Sequence, residues 1–292
     1  MRGKNRATTL TAAMALAAAP LLGAAAPATA QTTTAQVTSA QAVQNQALDW
    51  LSLDALSGSK LVQRIKELLG KGYVPQALSV TDAASPQYTS VWVKDAARKV
   101  SVLQGLSATD LPRRIAEQAK LGYQPKLVTG TGTGPGAVFA VVFEKTTQLV
   151  KSELALTKET LVKVNAELSA AGYSIASLDV YGTVEKPLYA AVWVAGAATG
   201  TLQVTLGQTV EQRGQELLAK AKQGLRPVLM AVGPGKLYST VWAKGGATGL
   251  KEYLSLSKVT YAVKAAQLRT MGYRPQIVSA EDGVIASVWS RS

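Results

Sequence analysis

With 292 residues, no cysteine and no histidine, the chain is long enough to bury a core without disulfides, and it lacks the commonest general base and the commonest metal ligand. Its 31 Lys and Arg outnumber 18 Asp and Glu, a net charge of +13 that favours anionic partners without requiring one.

From the start of the chain, Arg2, Lys4 and Arg6 precede an Ala/Leu-rich stretch, Leu10 to Leu22, and the small-x-small triplet Ala28-Thr29-Ala30. This predicts a secretory signal peptide over residues 1–30, cleaved near Ala30, with an apolar core too short to span a bilayer. The expected location is secreted, periplasmic or on the cell surface. The signal holds three basic residues and no acid, so 31 − 3 = 28 basic against 18 acidic residues leave the mature chain at +10. Residues 31–46 are polar and low in complexity, which predicts a flexible lead-in.

From residue 47 the chain repeats itself. A Gly-Tyr pair falls at Gly72-Tyr73, Gly122-Tyr123, Gly172-Tyr173 and Gly272-Tyr273, with Gly224-Leu225 in the fourth place. An aromatic follows each time: Trp92, Phe143, Trp193, Trp242 and Trp289. The glycines are spaced by 50, 50, 52 and 48 residues, which is the signature of a repeat array. The reading is a single repeat domain, 47–292, of five units at about 47–98, 99–148, 149–199, 200–248 and 249–292.

Each unit reads strand, helix, strand, strand, an α+β class. A first strand such as Ala47–Asp54 or Leu250–Leu256 leads into a helix with apolar residues at i, i+4, i+7 and i+8, as at Leu61, Ile65, Leu68 and Leu69. Ser57 or Ser59, Thr109, Thr157, Thr209 and Ser257 stand where an N-cap oxygen is wanted, and the repeated glycine suits the left-handed C′ position. Pro75, Pro125, Pro227 and Pro275 then stop the helix, with Ile175 in the third place. Two strands follow, the second written Tyr88-Thr89-Ser90-Val91-Trp92 in the first unit. Short turns between the last two strands and the next unit's first strand predict sheets shared between units. The strand near Trp50 would then complete the sheet that ends at Trp289. That arrangement predicts a propeller-like closed ring of five blades; the alternative is an open solenoid.

These units resemble the bacterial tandem repeat domain family, whose members carry a Gly-Tyr turn and a Tyr-x-x-Val-Trp strand. Gly72-Tyr73 with Tyr88–Trp92, and Gly172-Tyr173 with Tyr189–Trp193, match best; Gly224-Leu225, Phe143 and Ile285 depart from the pattern. The resemblance covers about residues 47–292. Similar repeats form the N-terminal half of secreted polyglycine hydrolases, where catalysis belongs to a separate β-lactamase-like domain. The resemblance implies a non-catalytic scaffold or binding half and carries over no functional residue.

Ser57-Gly58-Ser59-Lys60 and Ser255-Leu256-Ser257-Lys258 both spell Ser-x-x-Lys, a spacing that places a nucleophilic serine beside an amine in β-lactamase-like enzymes. Both fall where the repeat wants a helix cap, and no Ser-Asp-Asn or Lys-Thr-Gly element accompanies them. The glycine-rich run Gly130–Gly136 has no helix after it and reads as a hairpin loop, not a phosphate cradle. Carboxylates such as Asp82, Asp179, Glu281 and Asp282 are scattered and read as turn or cap residues, Glu281-Asp282-Gly283 as a hairpin turn. The repeated tryptophans read as core. The tyrosines ahead of them, Tyr88, Tyr189 and Tyr238, are expected on the opposite strand face, as an exposed row for a sugar or peptide. Arg64, Lys66, Arg113, Arg114, Lys220, Lys264 and Arg269 make the helix side the basic side. The functional expectation is a non-enzymatic module that binds an extracellular polypeptide, glycan or surface polymer, with no cofactor and no metal. The alternatives are a polyanion or nucleic-acid binder through the helix face, and a serine hydrolase using Ser57 or Ser255.

Overall fold

The structure, a computed structural model, describes residues 49–196, 202–245 and 249–291. The expected signal peptide, the cleavage site near Ala30 and the lead-in 31–46 lie outside the described residues.

Five units repeat one element order. The first is β1 (Trp50–Ser57), α1 (Gly58–Gly70), β2 (Tyr73–Thr81) and β3 (Gln87–Lys94). The second is β4 (Val100–Ser107), α2 (Asp110–Lys120), β5 (Tyr123–Thr131) and β6 (Val138–Lys145). The third is β7 (Val150–Leu156), α3 (Lys158–Ala170), β8 (Tyr173–Gly182) and β9 (Pro187–Ala195). The fourth is β10 (Gln203–Gln208), α4 (Val210–Lys222), β11 (Leu225–Gly233) and β12 (Leu237–Lys244). The fifth is β13 (Lys251–Leu256), α5 (Lys258–Thr270), β14 (Tyr273–Glu281) and β15 (Val284–Arg291).

Local chemistry sets the helix boundaries. Thr157, Thr209 and Ser257 accept the backbone N–H three residues on, and Thr209 with Gln212 closes a capping box. The first two helices depart from expectation: neither Ser57 nor Thr109 makes a side-chain cap, and at the second helix Ser107 Oγ accepts the Asp110 N–H at 3.0 Å instead. At the other end Gly72, Gly122, Gly172, Gly224 and Gly272 all have φ between 72° and 82°, the left-handed C′ conformation.

The sheets differ from the expected sharing between units. Each has three strands from one unit, ordered first, third, second: β1-β3-β2, β4-β6-β5, β7-β9-β8, β10-β12-β11 and β13-β15-β14. Both pairings in each sheet are antiparallel. The reason is the crossover helix. It returns the chain so that the first and second strands lie parallel on either side of the third, and each unit completes its own sheet. Trp50 therefore pairs with Val93 of its own unit, not with β15.

Neighbouring units meet through apolar side chains. Tyr88 and Leu61 pack on Ala140 and Val142 of the second unit. Phe139 and Val141 pack on Tyr181 and Val192 of the third. Tyr189 and Ala191 pack on Ala231 and Val241 of the fourth. Met230 and Tyr238 pack on Ile277 and Ala286 of the fifth. Tyr261 and Trp289 of the fifth unit in turn pack on Trp50 and Val91 of the first. Trp50 stands edge-on to Trp289 with ring centroids 5.5 Å apart, and the Arg269 guanidinium lies 4.0 Å from the Trp50 ring centroid.

Candidate functional site

The second strand of every unit carries a bulge at the same place, just after the helix-stopping residue. Register shifts fall between Pro75 and Ala77, Pro125 and Leu127, Ile175 and Ser177, Pro227 and Leu229, and Pro275 and Ile277. Proline has no N–H for the ladder, so four of these strands must break register there; Ile175 keeps the same bulge without one. The extra residues are Gln76, Lys126, Ala176, Val228 and Gln276, and together they line one cavity of about 350 Å³. Ser79, Ser177, Asp179 and Ser279 lie further along the same strands. At the rim Arg98 grips Glu144 with two N–H···O bonds of 2.9 Å. The site thus offers two amides, one ammonium and an Arg–Glu clamp around a mixed wall. These groups suit hydrogen-bonded recognition.

Beyond the bulges, side chains one unit on hold the strands together. The Val80 N–H donates to Thr129 Oγ1 at 3.2 Å, and the Gly130 N–H donates to Asp179 Oδ2 at 2.7 Å. The Val232 N–H donates to Ser279 Oγ at 2.9 Å, and the Ala280 N–H donates to Ser79 Oγ at 3.2 Å. These three hydroxyls and the Asp179 carboxyl sit at equivalent positions and serve as structural acceptors. Ala231 occupies the fourth position and offers no acceptor. There the strands come close instead: a Cβ on Gly233 would lie 2.7 Å from Val180 Cγ1.

Two acids stand out on these strands. Burial pushes the Asp179 carboxyl up to about 7, against lowering hydrogen bonds from Gly130 and Thr129. Burial, and then the neighbouring Asp179 charge, push Glu281 up to about 8. Among the described residues no group of three or more acidic, histidine or cysteine side chains is placed to hold a metal.

The expected tyrosine row is corrected. Tyr88, Tyr189 and Tyr238 are 1%, 1% and 0% exposed, inside the junctions between units. Tyr88 and Trp92 stand four residues apart, an even spacing that puts both on one strand face, and the other face is covered too. Their hydroxyls have structural work. Tyr238 accepts the Ser255 N–H at 3.1 Å, holding a first-strand residue with φ +53°. The same left-handed bulge recurs at Ala55, Gly105, Ala155 and Gly207.

The Ser-x-x-Lys pairs do not assemble a nucleophile. Ser57 Oγ lies 3.3 Å from Ser59 Oγ. Ser255 sits in β13, before the helix, with its Oγ 2.8 Å from the Tyr238 hydroxyl. Among the described residues no hydrogen bond joins Ser57 to Lys60 or Ser255 to Lys258. The helix face is less basic than its composition suggests. Arg64 and Lys71 pair with Glu67, Arg113 pairs with Asp110 and Glu117, and Arg114 also pairs with Glu117.

The fourth unit hides a group that pattern reading missed. Arg213 occupies the helix position held by Leu61, Leu111, Leu161 and Tyr261, and it is 0% exposed. It donates to Glu252 Oε2 of the fifth unit at 2.6 Å and to Thr240 Oγ1 at 3.1 Å, and stacks 4.4 Å from the Trp242 centroid. Among the described residues its Nη1 has no hydrogen-bond partner, nor do Gln208 Oε1 and Glu216 Oε2 of the same unit. Setting the five helices in register would have exposed the exception.

The family model described as polyglycine hydrolase-like, structural repeat matches this chain three times, at residues 48–95, 100–146 and 152–195. The matches fall on the first three units; the fourth and fifth follow the same element order.

Proposed function

The chain carries the polyglycine hydrolase-like structural repeat in its first three units, and from that premise we propose that it is an exported, non-catalytic repeat module whose five units close into a propeller-like ring. The module binds an extracellular polypeptide, glycan or surface polymer at the cavity lined by the five second strands. Closure is supported by the fifth unit meeting the first as the others meet their neighbours, through Trp289 on Trp50 and Ala280 on Ser79. Binding is supported by the one observation that all five bulges deliver a side chain to one cavity. The cavity serines Ser79, Ser177 and Ser279 are already engaged, each accepting a backbone N–H of a neighbouring unit.

The polyanion reading has less support, because Arg64, Arg113 and Arg114 already meet acids on their own helices, and attraction between exposed charges is screened by salt. The test is binding of the protein from Gln31 onward to cell-wall material, a peptide and glycan panel, and DNA, at low and high salt. Salt-resistant binding to one class, weakened by the triple variant Q76A/K126A/Q276A, supports the cavity. Binding confined to polyanions and abolished by salt would replace this reading with the electrostatic one.

A further inference from the structure

Two acids from different units are tied to consecutive residues of β5. Asp179 of the third unit accepts the Gly130 N–H at 2.7 Å, and Glu281 of the fifth accepts the Thr131 hydroxyl at 3.1 Å. Thr129 also hydrogen-bonds Asp179 while accepting the Val80 N–H of the first unit at 3.2 Å. Asp179, Glu281, Thr129 and Thr131 are all buried. Four units therefore meet at this cluster.

The charges that bear on it have one sign. Asp82 at the end of β2 and Asp282 in the β14–β15 turn act on Glu281, as Asp179 does. Packed against these strands, β9 offers only Tyr189, bonded to Ser239. In β11 the only ionisable group is Arg226, which donates to the Leu225 carbonyl; β15 offers Arg291, which donates to the Met271 carbonyl. In β5, Tyr123 and Lys126 lie toward the other end of the strand, and Tyr181 of β8 is itself pushed up by burial and by Asp179. The charged groups of α3, Lys158, Glu159, Lys163 and Glu167, are all exposed. On α5, Lys264 bonds Gln267 and Arg269 bonds the Trp50 carbonyl. Lys186 and Lys236 sit in exposed turns.

We propose that the Asp179–Glu281 pair is a proton-linked latch. It holds the second, third and fifth units together while it carries a proton and loosens that junction once both carboxylates are charged. Two buried carboxylates with no cation acting on them among the described residues cannot both ionise without desolvation and mutual repulsion. With folded values near 7 and 8, each lies above the ordinary carboxylate range it regains on unfolding. The folded state then binds more protons than the unfolded one. The pair's contribution to stability is fully present at acid pH, falls as pH rises from the ordinary carboxylate range, and levels off above about 8. Each proton held only by the folded state changes the unfolding equilibrium about tenfold per pH unit across that window.

The experiment is urea unfolding of the protein from Gln31 onward at pH 5, 7 and 9, beside D179N, E281Q and D179N/E281Q. Wild type should lose midpoint from pH 5 to pH 7 and lose more by pH 9, with the decline ending above about pH 8. The double variant, which mimics the protonated pair, should lose most of that slope and exceed wild type at pH 9. Parallel profiles, or a double variant weaker than wild type at pH 9, would overturn the proposal. Should the double variant not fold, infrared difference spectra of wild type decide: a buried protonated-carboxyl band at pH 7 that vanishes by pH 9 supports the latch, and its absence at pH 7 overturns it.

Discussion

Replacing Arg213 tests whether the fourth and fifth units are joined by a true buried ion pair. The guanidinium is 0% exposed and its partner Glu252 is 10% exposed. Burial acts against both charges, holding Arg213 below and Glu252 above their ordinary ranges. Removing one member strands the other, at a cost of about 3–5 kcal/mol. For E252V the whole cost applies, since Arg213 keeps its charge and already has one orphaned nitrogen. For R213L a buried leucine returns about 2 kcal/mol and the lost Trp242 contact removes about 1 kcal/mol. The net loss is then about 2–4 kcal/mol. The double variant R213L/E252V installs what the other units carry, leucine as at Leu61, Leu111 and Leu161, and valine as at Val102 and Val204. It should unfold within about 1 kcal/mol of wild type, or later. The assay is urea unfolding followed by tryptophan fluorescence, with the four proteins as a double-mutant cycle. Two near-neutral single variants, or a double variant no better than E252V, would refute the reasoning.

Other outcomes follow from the same geometry. W50A removes a 3% exposed indole from the contact between the first and fifth units, so it should cost about 3–5 kcal/mol and lower Tm by roughly 10 °C in a calorimetric scan. A loss under about 1 kcal/mol would show that this junction is not packed as described. G233A sets a methyl 2.7 Å from Val180 Cγ1 of the neighbouring unit and should cost about 1–3 kcal/mol in denaturant unfolding, although the Gly233 backbone itself is ordinary (φ −114°). S255A should leave reactivity towards a fluorophosphonate unchanged at zero. Labelling of wild type that S255A abolishes would restore the hydrolase reading.

The period, the helix ends and the tryptophan core were legible because each rests on one local rule: a fixed spacing, a glycine that must be left-handed, a large side chain at a strand position. Strand pairing was not. Short turns suggested that β3 would pair with β4, but a turn can also carry the chain to a new sheet, and the crossover helix decides which. Tyr88 and Trp92 share a face by their even spacing, and burial of the remaining face depends on the neighbouring unit, which no single unit's sequence reveals. The cavity was hidden for a related reason. Pro75 and its equivalents read as helix stops, whereas the bulge beside each, which brings Gln76 and Lys126 to the cavity wall, depends on strand pairing that no single segment spells out. Asp179 and Glu281 lie 102 residues apart in sequence, 281 − 179, and nothing in either neighbourhood marks them as partners.

The central claim is that five units surround one cavity, and distances between the bulge residues test it most directly. The chain has no native cysteine, so spin labels can be placed pairwise by Q76C with K126C, A176C or Q276C and read by pulsed electron resonance. Closure predicts that 76–276 matches 76–126 and is shorter than 76–176, because the first unit then neighbours both the second and the fifth. A 76–276 distance longer than both others would mean an open array and would contradict the account.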